Sequence, residues 1–227
     1  MNYNSIIALF TAPVFALFMF LYFKSRIEKK SYNLLFKSFL FGFISIILAV
    51  IVQIITSQLG YDDLRNLKRI TFYSFIVIGG GAELSKFIIL RYFIITKSQS
   101  KNPFAGITYS VMIALGFATA GLILFIFNII DTRYLYPINF YSFTFAITHI
   151  IFAVLMGFFV SISMVRKPNF IYALSGLFTA FFFHGFFVFC ILTRDYKLLS
   201  VFSFGALLIV FILLYKAIMS AEERAEE

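Results

Sequence analysis

The sequence predicts an all-α polytopic membrane protein, a bundle of about seven transmembrane helices, on three observations. Of its 227 residues 62% are hydrophobic and 13% charged, with a mean hydropathy of +0.97, more apolar surface than a soluble domain hides in one core. The apolar residues fall in segments of about 20, each long enough to cross a hydrocarbon core of roughly 30 Å as a helix. Short polar loops between the segments carry most of the charge. No room remains for a separate soluble domain. Residues 1–220 read as one integral membrane domain in contact with the lipid bilayer, and 221–227 (AEERAEE) as a short charged, soluble tail.

In chain order, Ile6 to Phe23 is an apolar run followed by Lys24, Arg26, Lys29 and Lys30 with no basic residue before it. A cleaved signal peptide has the opposite polarity, so this is a retained helix with its N-terminus outside. Leu34 to Thr56 is the second span. Gln58 to Arg69 mixes Asp62, Asp63, Arg65, Lys68 and Arg69 and reads as a short external interfacial segment whose charges face solvent. The third span runs from Thr71 to Ile95, with Arg91 and Lys97 at its cytoplasmic end. KSQSKNP then leads through Pro103 into a fourth, Ile107 to Ile129. The DTRYLYP loop turns outside before a fifth span, Phe140 to Met164. The basic turn Arg166 to Pro168, a sixth span from Asn169 to Leu192, the TRDYK turn and a seventh span from Leu198 to Met219 complete the chain.

Apart from Lys86, twelve basic residues fall on the side this topology assigns to the cytoplasm and six on the other, which supports N-outside and C-cytoplasmic. The formal charge of +9 is therefore an orientation signal, and no nucleic-acid partner is expected. Cys190 has no second cysteine, which excludes an intrachain disulfide. Phe-rich stretches such as Phe181 to Phe183 read as lipid-facing or packing side chains.

Four ionisable side chains fall well inside spans: Glu83 and Lys86 in the third, His149 in the fifth and His184 in the sixth. A charge at the centre of a bilayer costs about 2.5–3.5 kcal/mol on insertion scales, so each needs a partner or a purpose. Glu83 and Lys86, at i and i+3, share a helix face and can neutralise each other. At about 1.5 Å per residue, Glu83 lies roughly 18 Å below the outer end of its span, His149 about 14 Å and His184 about 11 Å. The three therefore share a layer, with the small-residue patch Ala118 to Gly121 at similar depth. Gly79 to Gly81, Gly116, Gly121 and Gly157 read as sites of close helix approach, the usual use of small residues in membranes.

Two chemistries remain open on these residues. His149, His184 and Glu83 plus water would describe a catalytic zinc, although no HExxH or other local ligand spacing supports it, and the expectation is no cofactor. A transporter or channel would use intramembrane ionisable groups as a relay, but there is no chain of acids, and proline-marked breaks are expected to be absent from span interiors. GGG without a GK[ST] ending is no P-loop, and no Ser or Cys nucleophile sits beside a base.

With AELSK at Ala82 to Lys86, FATAG at Phe117 to Gly121, THIIFAVLMG at Thr148 to Gly157 and HGFFV at His184 to Val188, the chain resembles the PrsW family of glutamate-type intramembrane proteases. That family belongs to the larger group containing the CAAX prenyl endopeptidases. The resemblance covers roughly residues 34–190, and its most specific part is NPFAGITYSVMIALGFATA. It implies a bacterial inner-membrane endopeptidase in which a glutamate, oriented by polar groups and histidines, activates water against a peptide carbonyl.

The family's EExxK, FxxxE and HGxxD-like motifs are each short of an acid here, at Ala82, Gly121 and Val188. On this resemblance Glu83, His149 and His184 are the catalytic candidates if the chain is active, with Lys86 and Phe117 supporting. Glu83 lies about 100° around the helix from Ala82 and would approach a substrate from another direction. The expectation is a catalytically degenerate homologue that keeps a cavity for a transmembrane or lipid-linked protein partner. An active peptidase using Glu83, His149 and His184 is the alternative.

Overall fold

A computed structural model of the chain describes residues 3–26, 31–98, 102–127, 129, 138–165 and 170–226. Lys29, Lys30, Lys101, the 131–137 loop with its Arg133 and the 166–168 turn lie outside these residues. The described residues form helices and turns and no strand. Seven helices follow in order: α1 (Tyr3–Lys24), α2 (Tyr32–Gln58), α3 (Leu67–Lys97), α4 (Pro103–Ile126), α5 (Ile138–Val165), α6 (Phe170–Thr193) and α7 (Tyr196–Glu226). From α2 onward each is long and apolar enough to cross a membrane, while α1 contributes the shorter apolar helix Leu9–Lys24.

The bundle is built around α4, because α4 is apolar on every face and such a helix must be enclosed by others. Its membrane window is 83% buried, whereas that of α7 is 11% buried, leaving α7 on the lipid-facing rim. Small residues make that enclosure possible. A Cβ at Gly116 would overlap the Phe39 carbonyl oxygen of α2, so α2 and α4 approach to backbone contact there. At the start of α4, the Asn102 side chain accepts a 2.7 Å bond from Ala105 N and Pro103 follows, a preferred N-cap and first residue. Ser161 Oγ of α5 donates to Asn102 O at 2.6 Å and ties the two helices together.

Pro13 stands inside α1, and the helix runs through it without a break at the loss of one backbone bond. At the other end of the chain α7 continues as helix to Glu226. The third helix departs from the single uniform span expected: α-helical at Leu67–Phe72 and Gly81–Ile88, it is π-helical at Tyr73–Gly80 and Ile89–Ile94, and ends in a 3₁₀ turn at Ile95–Lys97. Between α2 and α3, Arg65 and Lys68 are exposed, and Asp62, Asp63 and Arg69 are half-buried. Arg65 pairs with Asp63, and Arg69 Nη1 donates to Gly60 O at 2.6 Å, where Gly60 has a φ of +70° that favours glycine.

Candidate intramembrane site

The site starts from the short α-helical segment Gly81–Ile88, held between the two π-helical stretches of α3. Gly79 meets Gly185 of α6 so closely that a Cβ at Gly79 would lie 2.9 Å from Gly185 N. Neither residue has a side chain to keep the backbones apart, and the neighbour of Gly185 is His184. That crossing delivers the His184 ring to the Glu83 carboxylate.

The four intramembrane ionisable residues meet in one buried cluster. Lys86 Nζ donates to Glu83 Oε1 at 2.6 Å and lies 3.1 Å from His149 Nδ1, and His184 Nδ1 lies 2.7 Å from the same Oε1. Glu83 is 0% exposed, His149 1%, Lys86 3% and His184 5%, so the common layer read from helix depths is present. An ammonium has no acceptor, so His149 Nδ1 accepts from Lys86 and its Nε2 carries the proton; a carboxylate only accepts, so His184 Nδ1 donates to Glu83. Among the described residues Glu83 Oε2 has no hydrogen-bond partner.

Aromatic rings enclose the cluster. Phe117 lies under Lys86, with Nζ 5.3 Å from its centroid, a cation–π geometry. Phe145 meets His149 edge-on at 4.4 Å, and Phe152 stacks on His184 at 4.8 Å. Ring faces around the cluster lower the local dielectric, which strengthens each polar contact inside.

A cavity of about 90 Å³ adjoins the cluster. His149, His184 and Phe117 form part of its wall, together with Ala82, Gly121 and Val188. Glu83 and Lys86 are not among its lining residues, whereas Ala82, about 100° around the helix from Glu83, is. The sequence singled out all eight of these residues. It missed Gln53, Tyr73, Thr144 and Thr148, which also line the cavity. A lone amide in the apolar run of α2 was the one available signal for Gln53.

A family model described as PrsW family intramembrane metalloprotease matches residues 30–219. The chain belongs to the PrsW family. Two curated relatives, each named Protease PrsW, agree. That of Geobacillus kaustophilus is 26% identical over 197 residues, covering 84% of this chain and 81% of its own. That of Oceanobacillus iheyensis is 26% identical over 160 residues, covering 68% and 67%. No solved structure matches. This PrsW-family protein is thus an integral membrane protein with bacterial protease relatives, and Glu83, His149 and His184 offer ligand atoms within 4.8 Å of one another in a family whose description names a metal.

Proposed function

We propose that this chain is a PrsW-family protein that no longer cleaves and uses its cavity to bind a transmembrane or lipid-linked protein segment. One observation carries the reading: Glu83 Oε1 is occupied by both Lys86 and His184, and the cavity wall beside it is Ala82, Gly121 and Val188. At those three positions the family resemblance expects carboxylates. A general base must reach a water on the substrate side, and its loss typically costs about 10²–10⁴ in rate. Residues that act as a unit do not lose their contributions independently, so three missing acids leave little for Glu83 to recover. The apolar wall that replaces them suits an aliphatic side chain or acyl segment.

A metal ion does not fit these residues as they are arranged. His149, His184 and Glu83 are the right donor types for a catalytic zinc. However, the Lys86 ammonium lies against two of the three, and it already compensates the single carboxylate. A dication added there would leave uncompensated charge in a low-dielectric interior.

The alternative, an active peptidase using Glu83, His149 and His184, is favoured by the two imidazoles on the cavity wall. It requires the unpartnered Glu83 Oε2 to reach a water in the cavity, which Glu83 does not line. The deciding assay presents the purified chain in liposomes with single-span proteins that the G. kaustophilus relative cleaves under the same conditions. The expected result is binding without cleavage, with binding weakened by Val188→Trp, which fills the cavity. Cleavage abolished by Glu83→Ala would defeat the proposal.

A further inference from the structure

A second cavity, of about 200 Å³, lies at the end of α2 that leads into α3, and its wall includes Ser57 and Asp62, which are joined by a 2.8 Å hydrogen bond. Gln53 and Tyr73 line both this cavity and the inner one beside the cluster. The two spaces therefore share these two side chains as part of their walls. Gln53 lies five residues inside the end of α2, about 7.5 Å at the helical rise. Among the described residues nothing hydrogen-bonds its amide. An unpartnered amide is costly in hydrocarbon and at ease in water, so its position facing two cavities is explained if both are wet. Tyr73 opens the first π-helical stretch of α3, an irregularity found often at functional sites.

We infer that aqueous solution reaches the buried Glu83–Lys86–His149–His184 cluster through the outer cavity, and that Gln53 and Tyr73 form the gate between the two spaces. Water and small hydrophilic solutes enter beside Ser57 and Asp62, pass the Gln53 amide, and arrive at the wall formed by Ala82 and Val188. Gln53 supplies the hydrogen bonds that a permeating water gives up, and the Tyr73 ring sets the width. The route is independent of whether the chain cleaves.

The test is cysteine accessibility in the full-length protein in liposomes, in a Cys190→Ala background. The probe is the membrane-impermeant reagent trimethylammonium-ethyl methanethiosulfonate. Ser57→Cys reports the outer cavity, Ala82→Cys and Val188→Cys the inner one, and Ala114→Cys, fully buried, the unreactive interior. Ala82→Cys and Val188→Cys are expected to react from the same side as Ser57→Cys. Either Gln53→Leu or Tyr73→Trp should slow the inner reporters about tenfold, equivalent to about 1.4 kcal/mol of barrier, and leave Ser57→Cys unchanged. Ala114→Cys that stays unreactive in both gate variants shows that they are folded. Inner reporters that stay unmodified while Ser57→Cys reacts, or that react at the same rate in both gate variants, overturn the proposal.

Discussion

The bond between His184 of α6 and Glu83 of α3 joins two helices, whereas the bond between Lys86 and Glu83 lies within one. Helices inserted in a bilayer separate before they unwind, so the intrahelical pair survives in the dissociated state and the interhelical one does not. The consequence is a specific ranking. A hydrogen bond with one ionised partner contributes about 1.5–3 kcal/mol, and the 2.7 Å contact between two residues at most 5% exposed supports the full range. Ordinary interhelical hydrogen bonds in membranes average about 0.6 kcal/mol. A pair on one helix face contributes about 0.2–0.5 kcal/mol to that helix and less to its association. A double-mutant cycle of Glu83→Gln with His184→Phe, which keeps a ring against Phe152, is therefore expected to give a coupling of about 1.5–3 kcal/mol. The cycle of Glu83→Gln with Lys86→Met should give below about 0.5 kcal/mol. Reversible unfolding in mixed micelles, followed by far-UV circular dichroism and a fluorescence pair across α3 and α6, measures both. A coupling at or below about 0.6 kcal/mol for Glu83 with His184, or a larger one for Glu83 with Lys86, would refute the reasoning.

Purified protein is expected to hold well below one zinc per chain, and Lys86→Met should raise it toward about one, because removing the ammonium leaves a His₂Glu donor set with uncompensated negative charge. Elemental analysis decides this, and about one equivalent in the unaltered chain that is lost in His149→Ala would contradict it. Gly116→Ala should destabilise the bundle by about 1–3 kcal/mol, since its methyl group meets the Phe39 carbonyl. Gly205→Ala, where a Cβ meets nothing within 4 Å, should leave the midpoint of detergent unfolding unchanged.

The seven helices were legible because apolar run length is a direct consequence of bilayer thickness, and the loops between them carry the charges. Glu83, Lys86, His149 and His184 were legible for the complementary reason that ionisable groups in such runs are conspicuous. Depth placed Glu83, His149 and His184 in a common layer, which made their meeting an expectation. What depth does not encode is rotation about each helix. The Gly79–Gly185 crossing that aims His184 at Glu83, and the placement of Ala82 rather than Glu83 on the cavity wall, emerge only from packing. The π-helical stretches of α3 leave no hydropathy signature, because they change backbone register without changing composition. Gln53 and Tyr73 escaped notice as uncharged residues whose significance lies in facing two cavities at once.

The most direct measurement compares cleavage of a single-span protein by the natural chain and by one with carboxylates restored through Ala82→Glu, Gly121→Glu and Val188→Asp. At Gly121 the new side chain must displace the Phe145 ring, 3.1 Å from a Cβ there, so the three are introduced singly as well as together. The account predicts an intact substrate with the natural chain and cleaved substrate with the restored one. Turnover by the natural chain that disappears in Glu83→Ala would contradict it.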